Sequence, residues 1–288
     1  MELIMKSKMK MLQEKIRIWE SKIRCPICHN AVKVTGNQML CQDNHTFDLA
    51  KQGYLNLFMG HKEEQYNQAL FDSRYELMKQ SKFYEGLYKQ IKQILLENNF
   101  QSPNSFIIDL GTGEGTHLSL VTEALSQSNS LGLDIEKAGI QTAAKHYTNA
   151  LWMVADLGNI PLKNQTLDGA FTILTPSNYE EVNRVLNEKG WFLKIIPGTE
   201  YLKELREIVL PEEKVPHLPI PSIERFEEHF HMVQQSEFRN TYSLNEKDRE
   251  NLLKMTPLMW NATEEQLIQA NKLKKVTIDL ILLFGIKN

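Results

Sequence analysis

From residue 104 onward, apolar segments rich in β-branched residues alternate with segments whose apolar residues have helical spacing, and this alternation is the strongest constraint on the fold. The apolar segments lie at 105–110, 130–134, 151–156, 167–174 and 190–196, and the helix-like ones at 117–126, 136–147 and 178–187. Strands that alternate with helices build a parallel sheet with helices on both faces. Such strands are apolar along their whole length because both faces are covered. The sequence therefore predicts an α/β fold, with two further strands at 232–242 and 275–284.

A glycine-rich turn, Asp109-Leu-Gly-Thr-Gly-Glu-Gly115, follows the first apolar segment. Gly111, Gly113 and Gly115 let the backbone adopt positive φ angles and pass close to a ligand. A glycine triplet alone is a weak signal, because dinucleotide sites carry a similar one. Here the third glycine comes one residue earlier than in the G-x-G-x-x-G of dinucleotide folds. The spacing favours an adenosine ligand without a pyrophosphate.

Two acidic residues strengthen this interpretation, since each ends a predicted strand. Asp134 ends the second strand, where a carboxylate can accept hydrogen bonds from ribose hydroxyls. Asp156 ends the third strand, where a carboxylate can accept one from an adenine amino group, with Ile135 and Leu157 packing on the faces of the ring. Either carboxylate alone would be an ordinary strand-end residue. Their order behind the glycine-rich turn predicts an adenosine-containing cofactor.

All three cysteines of the chain lie before residue 42, and with one histidine they have the spacing of a metal site. Cys25, Cys28, Cys41 and His45 form the pattern C-x2-C-x12-C-x3-H. Two close ligand pairs joined by a loop build a closed tetrahedral zinc site, which is typical of a structural metal. His29 is a competing ligand, but His45 pairs with Cys41 at the better spacing. The alternatives are free cysteines in a core or a redox C-x-x-C motif, which the second pair disfavours.

Charge is distributed unevenly along the 288 residues, whose formal net charge is −3. Proteins that bind nucleic acids usually present a basic surface; the net charge here is not basic, but residues 1–24 carry seven basic and three acidic side chains. That segment is either a local nucleic-acid patch or an ordinary solvated helix face. No apolar run approaches the about 20 residues that span a bilayer, and a secretory signal pattern is absent. We therefore expect a cytoplasmic protein.

Taken together, these motifs resemble the class I S-adenosylmethionine-dependent methyltransferases, and within them the 23S ribosomal RNA (guanine-N1)-methyltransferases. The resemblance runs from about Cys25 to the C-terminus. It rests on Cys25-Pro-Ile-Cys-His29, Cys41-Gln-Asp-Asn-His-Thr-Phe-Asp48, Ala50-Lys-Gln-Gly-Tyr-Leu-Asn-Leu57, Asp109–Gly115, Val185-Leu-Asn-Glu-Lys-Gly-Trp191 and Met255-Thr-Pro-Leu-Met-Trp260. It implies a Rossmann-like class I methyltransferase sheet with a small N-terminal zinc-binding module.

The resemblance also implies site residues, a substrate and an assembly. Zinc is expected on Cys25, Cys28, Cys41 and His45. S-adenosylmethionine is expected to contact Tyr84, Asp109, Gly111, Gly113, Glu114, Asp134, Ile135, Asp156, Leu157 and Tyr201; many family members have a histidine at the position of Tyr201. The expected substrate is N1 of a guanine in a hairpin loop of 23S ribosomal RNA, and the expected assembly is a homodimer. The predicted organisation is a basic helical extension (1–24), a zinc-binding RNA-recognition module (25–60), a helical connector (61–103) and the methyltransferase domain (104–288).

No catalytic residue can be assigned from the sequence. Methyltransferases that act on exocyclic amines carry Asn/Asp-Pro-Pro-Tyr/Phe after the fourth strand, where this chain has Leu174-Thr-Pro-Ser-Asn-Tyr179, so a ring nitrogen is favoured. Thr175 and Asn178 lie in the loop expected to touch the substrate, and Glu180 is either a proton acceptor or a favourable charge at a helix start.

An unpaired target base would stack on an aromatic side chain. Trp191, Phe226, Phe230 and Trp260 are candidates by type, with core packing as the alternative for each.

Two other functions are compatible with parts of this pattern. A small-molecule methyltransferase, for example one acting on a quinone ring, would share the cofactor residues but would leave the zinc motif unexplained. A non-catalytic, zinc-containing RNA-binding protein would require a decayed cofactor site, and the intact Asp109–Gly115 turn disfavours it.

Overall fold

The computed structural model describes residues 2–60, 66–100, 102–125, 127–210 and 219–288. Its strands are β1 (Val32–Thr35), β2 (Gln38–Cys41), β3 (Thr46–Ala50), β4 (Tyr54–Asn56), β5 (Phe106–Leu110), β6 (Asn129–Asp134), β7 (Leu151–Val154), β8 (Leu167–Ile173), β9 (Leu186–Pro197), β10 (Phe230–Ser243) and β11 (Lys275–Lys287). Its α-helices are α1 (Glu2–Trp19), α2 (Gln68–Gln80), α3 (Glu85–Glu97), α4 (Thr116–Ala124), α5 (Lys137–His146), α6 (Tyr179–Val185), α7 (Lys203–Val209), α8 (Ile220–Glu227), α9 (Glu246–Met255) and α10 (Glu264–Ala270). A short 3-10 helix spans Pro257–Met259.

The predicted α/β fold is confirmed. The described strands form one sheet in the order β1-β2-β3-β4-β7-β6-β5-β8-β9-β11-β10. The strands from β4 to β9 in this order run parallel, and β11 and β10 close the far edge in antiparallel pairing. The crossover between β5 and β8 brings the carboxyl ends of β6, β5 and β8 to one edge, which is where ligands bind in open α/β sheets.

Helices cover both faces of the parallel region, so a separate apolar core lies on each side of the sheet. Along β5, the side chain of Ile107 belongs to one core and that of Ile108 to the other. Two glycines admit large rings between strands. A Cβ on Gly169 would lie 2.0 Å from the Trp191 ring, and one on Gly132 would lie 2.4 Å from the Trp152 ring. Any larger residue at either position would overlap a buried indole.

The N-terminal strands are part of the same sheet. β1, β2, β3 and β4 are joined by antiparallel pairing, and β4 then pairs parallel to β7, with Leu55 opposite Met153. Leu55 and Leu57 are buried, which explains why β4 docks on this edge. The segment 25–60 has few helix signals, but the sequence did not indicate that its last strand would extend the main sheet.

Helix α1 packs against the N-terminal strands and the edge of the main sheet. Ile16 and Trp19 are buried, and the Trp19 ring lies edge-on to Phe106 with 4.9 Å between centroids. Part of the basic charge of this segment is used internally, since Lys8 donates a hydrogen bond to the Ala144 carbonyl at 2.8 Å. That carbonyl lies in the last turn of α5, where a cation is favourable.

The described residues between β4 and β5 contain two helices. Helices α2 and α3 occupy the segment predicted as the connector, and α2 packs against α9 and α5. Residue 126, at the end of one predicted helix, and residues 61–65 and 101 of the connector lie outside the described residues. No helix of the described residues is both long enough and apolar enough to cross a bilayer.

Candidate active site and metal centre

The glycine-rich turn lies at the carboxyl end of β5, between the ends of β6 and β8. Gly111, Gly113 and Gly115 all have positive φ values, of 78°, 57° and 83°. A Cβ on Gly111 would lie 2.3 Å from Cγ2 of Thr175, which follows β8. A Cβ on Gly113 would meet no atom closer than 3.7 Å, so its strained conformation, and not close packing, calls for glycine. The turn therefore presents bare backbone at this edge.

The carboxylates of Asp109 and Asp134 hold the turn in shape. Thr112 donates its hydroxyl to Asp109 at 2.7 Å, and the backbone N–H of Gly113 donates to Asp134 at 2.7 Å. Burial raises the pKa of both carboxyls, that of Asp109 to about 7. Asp109 is almost fully buried, whereas Asp134 keeps some exposure at the end of β6. Asp134 is therefore the carboxylate of this pair that can also face a ligand.

The other predicted adenosine contacts line the same edge. Asp156 is exposed just beyond β7, where one of its oxygens accepts the N–H of Gly158 at 2.7 Å and the other is open. Ile135 and Leu157 are partly exposed. The four predicted residues thus lie at the carboxyl ends of β6 and β7, and of them Asp134 contacts the glycine-rich turn.

A buried polar cluster lies beside the turn; we call it the Arg74 cluster. Its members are Arg74, Tyr84, Tyr88, Glu114, His117 and Tyr201. Nε of Arg74, from α2, lies 2.6 Å from Oε2 of Glu114, whose side chain is fully buried. Neither that Nε nor either carboxylate oxygen has a hydrogen bond of acceptable geometry. The ion pair is therefore close but incompletely satisfied.

The aromatic members of the Arg74 cluster form its walls. The hydroxyls of Tyr84 and Tyr201 are 3.4 Å apart, and the hydroxyl of Tyr88 is 2.9 Å from Nδ1 of His117. Burial lowers the pKa of His117 far below its ordinary value, so the ring is neutral. Nε2 of His117 is buried without a hydrogen bond. Two predicted cofactor residues, Tyr84 and Tyr201, thus meet here although they are far apart in sequence.

Arg74, Tyr88 and His117 were not among the predicted site residues. A signal for Arg74 exists in the sequence: it interrupts the buried face of α2, between Phe71 and Met78, with a charge. No comparable signal marks Tyr88 or His117.

The loop after β8 is shaped by its own backbone. Leu174 has φ 58°, an unusual conformation for a branched residue that marks functional turns. Asn178 caps α6, accepting the N–H of Glu181 at 3.2 Å, and Glu180 is exposed in the first turn. Thr175 packs on the glycine-rich turn, with its hydroxyl 3.4 Å from the Gly111 carbonyl. Of the three residues considered for substrate contact, Thr175 is the one that touches the turn.

The four aromatic candidates for base stacking divide into two groups. Trp191, Phe226 and Phe230 are buried in the cores. Trp260 is 48% exposed and lies 5.1 Å from the ring of Tyr66, which is 6.2 Å from that of Phe71. Phe71 in turn is the residue nearest the open side of Gly113. Trp260 is the one candidate of the four whose ring is substantially exposed, and the rings of Tyr66 and Phe71 lie between it and the turn.

The predicted metal ligands converge on one point. One side-chain atom from each of Cys25, Cys28, Cys41 and His45 lies within 4.8 Å of all the others, and His29 is not part of the group. The sulfurs of Cys28 and Cys41 are 3.6 Å apart, and Nδ1 of His45 is 3.3 Å from the Cys41 sulfur. Zinc bound tetrahedrally about 2.3 Å from each sulfur would separate two sulfurs by about 3.8 Å. The donor set and its spacing fit zinc.

The metal centre lies at the same edge of the sheet as the glycine-rich turn. Because β3 runs antiparallel to β4, its first residue, next to His45, lies at the carboxyl end of β4 and β7. The loop after β7 also contacts the metal centre directly: Asn159 donates to the Pro26 carbonyl at 2.9 Å and accepts from Arg24 at 3.0 Å. The segment that carries Asp156 thus packs against the zinc-ligand loop.

Comparisons with known proteins agree with this arrangement. The family model described as "RlmA, N-terminal", a zinc ribbon, matches residues 23–63, and the one described as "Methyltransferase domain" matches residues 107–190. A Bacillus subtilis protein, "Putative 23S rRNA (guanine-N(1)-)-methyltransferase YxjB", is 30% identical over 275 residues, which cover 93% of this chain and 98% of that protein. The "23S rRNA (guanine(748)-N(1))-methyltransferase" of Streptomyces fradiae is 26% identical over 246 residues, 85% of this chain and 88% of that protein.

One solved structure shares the fold. A "Putative methyltransferase from antibiotic biosynthesis pathway" of Anabaena variabilis superimposes with a TM-score of 0.50, at 12% identity, over 68% of this chain and 96% of that one. At this identity the similarity concerns the fold alone.

The geometry of the metal centre predicts which histidine holds the ion. We expect the purified chain to contain one zinc ion, His45→Gln to lose most of it, and His29→Gln to retain it, because only His45 lies among the three cysteines. Zinc content by atomic absorption after dialysis against a weak chelator checks this. Equal zinc content in the two variants would contradict the assignment.

Proposed function

We propose that this chain, which belongs to the 23S ribosomal RNA (guanine-N1)-methyltransferase family, transfers a methyl group from S-adenosylmethionine to N1 of a guanine in 23S ribosomal RNA. The observation that carries the proposal is the placement of a Cys3His cluster and a glycine-rich turn at one edge of a single sheet. A methyltransferase of small molecules needs only the second of these. The zinc centre beside the turn supports a large substrate that touches both.

The residues at the carboxyl edge are suited to hold the adenosine part of the cofactor. Asp134 would accept hydrogen bonds from ribose hydroxyls, and the free oxygen of Asp156 would accept one from the adenine amino group. Ile135 and Leu157 would pack on the two faces of the adenine ring, and Gly113 would let the backbone approach the ribose. When bound, the cofactor supplies an electrophilic methyl group on a sulfonium. The protein's task is then to align donor and acceptor.

The Arg74 cluster has the chemistry to hold the amino-acid end of the cofactor. That end carries an ammonium and a carboxylate, so it is a zwitterion. The buried oxygens of Glu114 lack hydrogen bonds, and an ammonium supplies donors for them. The guanidinium of Arg74 can pair with the carboxylate. Binding of a zwitterion adds no net charge to this buried site, which keeps the electrostatic cost of binding low. These unsatisfied atoms support the fit of the cofactor to this chain.

Methylation of guanine N1 requires an unpaired base and the departure of a proton. The exposed ring of Trp260 can stack on a base that has left its helix, and Tyr66 and Phe71 connect it to the turn. We assign none of the described side chains as the proton acceptor. The finer parts of the proposal are a hairpin-loop target, RNA recognition by residues 25–60 and a homodimer, as the resemblance to the family implies, and a cytoplasmic location, as expected from the sequence.

The reaction can be tested directly. We expect that unmodified 23S ribosomal RNA incubated with the purified chain and methyl-labelled S-adenosylmethionine will carry the label in 1-methylguanosine. Mass spectrometry of the digested nucleosides measures it. RNA that stays unlabelled while the chain binds the cofactor would contradict the proposal and favour a small-molecule acceptor.

The assignment of Arg74 can be tested with two ligands that differ only at the amino-acid end. We expect Arg74→Met to weaken binding of S-adenosylhomocysteine by about ten- to a hundredfold, the loss of one charge-assisted hydrogen bond. Affinity for methylthioadenosine, which lacks the amino-acid end, should stay unchanged. Isothermal calorimetry measures both. An equal loss for both ligands would show that Arg74 only supports the glycine-rich turn through Glu114.

A further inference from the structure

A second group of basic side chains lies on the opposite side of the glycine-rich turn from the metal centre; we call it the Lys194 cluster. It consists of Lys194 from β9, Arg225 from α8 and His229, arranged around the ring of Tyr179. Nζ of Lys194 is 5.2 Å and Cζ of Arg225 is 5.7 Å from the centroid of that ring. The ring of His229 stacks on it at 4.7 Å. None of these residues belongs to the cofactor site described above.

Burying the charged side chain of Lys194 in this position costs free energy. It is only 6% exposed, and its ammonium donates one hydrogen bond of 2.7 Å, to the hydroxyl of Ser177. Among the described residues, neither Lys194 nor Arg225 has a carboxylate within ion-pair distance, although Glu224 precedes Arg225 on α8 and Glu228 follows the helix. Burial lowers the pKa of Lys194 to about 8, which reflects the cost of its charge. A buried cation without an anion is one that a bound anion would stabilise.

The available groups of the cluster are mainly hydrogen-bond donors. Lys194 and Arg225 can only donate. Nδ1 of His229 donates to the Arg225 carbonyl at 2.9 Å, so its Nε2 donates to an anion only when the ring is protonated. The hydroxyl of Tyr179 is buried and has no hydrogen bond. An acceptor-only group with several oxygens and a negative charge matches this set, and a phosphate is such a group.

The cluster also adjoins the reaction edge. Ser177, which accepts from Lys194, lies two residues after Thr175, and Thr175 packs on Gly111 of the glycine-rich turn. An anion held near Ser177 would thus lie next to the place where the acceptor base must sit. The metal centre lies at the same edge of the sheet, on the β7 side of the turn.

We propose that Lys194, Arg225 and His229 bind a backbone phosphate of the RNA strand that carries the target guanine. The inference rests on the proposed function, because it takes RNA as the substrate. A contact of the RNA strand with this cluster and a second contact on the zinc side would fix the strand across the turn. Phosphate contacts position a nucleic acid without reading its sequence. The three residues are therefore positioning residues.

The test is the salt dependence of RNA binding. Full-length unmodified 23S transcript is bound to the intact chain at several KCl concentrations in a filter assay. Each phosphate contact contributes about 0.7 to 0.9 to the slope of log K against log salt. We expect Lys194→Met and Arg225→Gln each to lower the slope by about one contact and to weaken binding at low salt. Lys272→Met, which removes the same charge from an exposed site, should leave the slope at its wild-type value.

Calorimetry with S-adenosylhomocysteine serves as the folding check, and its affinity should be the same in all variants. Arg225 is exposed, so its variant tests the proposal even if Lys194→Met fails to fold. Wild-type slopes in Arg225→Gln and in a folded Lys194→Met would overturn the proposal. Inorganic phosphate, added as a competitor at constant ionic strength, identifies the source of the anion. If the variants lose sensitivity to phosphate but keep the wild-type slope for RNA, the cluster binds free phosphate and the RNA proposal is wrong.

The result is distinguishable from failure of the proposed function. A chain that binds 23S transcript with altered slopes in the variants, yet places no methyl group on it, would keep this inference and overturn the reaction. Methylation of guanine by the chain, together with wild-type slopes in the variants, would support the proposed reaction and overturn this inference.

Discussion

The parallel pairing of β4 with β7 is the contact on which the arrangement of both sites depends. It turns an antiparallel zinc-binding unit into the edge of a methyltransferase-type sheet, and it fixes the direction of that unit. Because β3 returns antiparallel to β4, the zinc ligands come to the carboxyl edge and not to the opposite one. Asn159 then bridges Arg24 and the Pro26 carbonyl, so two hydrogen bonds join the loop of Asp156 to the zinc-ligand loop. A small metal-dependent unit thereby gains a rigid base that its own core is too small to provide.

Two clusters of buried charged or polar groups lie outside the apolar cores. The two cores are apolar, whereas the Arg74 cluster and the Lys194 cluster contain buried charged or polar groups. The two clusters lie on either side of the glycine-rich turn, near the end of β8. Both groups contain atoms without hydrogen bonds, which a stable core would not normally retain. The simplest physical account is that each is completed by a ligand. One cluster fits a zwitterion because it holds both signs of charge; the other fits an anion because it holds only one.

Local patterns in the sequence predicted much of this molecule. The alternation of strands and helices follows from the apolar segments, the turn from its glycines, and the metal centre from cysteine spacing, since each pattern is set within a few residues. Contacts between distant elements were not accessible in the same way. The docking of β4 on β7, the partnership of Arg74 with Glu114, and the burial of Lys194 beside Tyr179 depend on which helix faces which strand. Burial likewise separated Trp260 from Trp191, which composition alone treated as equivalent.

The central claim is that the zinc unit and the cofactor edge are separate sites on one surface, the first serving the RNA and the second the methyl donor. The most direct measurement compares His45→Gln with its neighbour His29→Gln for two affinities: S-adenosylhomocysteine by calorimetry and 23S transcript by filter binding. The account predicts that His45→Gln loses RNA affinity by a larger factor than cofactor affinity, because the loop of Asp156 packs against the zinc-ligand loop whereas Asp109 and Asp134 hold the glycine-rich turn, and that His29→Gln loses neither. Unchanged RNA affinity in a zinc-depleted His45→Gln would contradict the account.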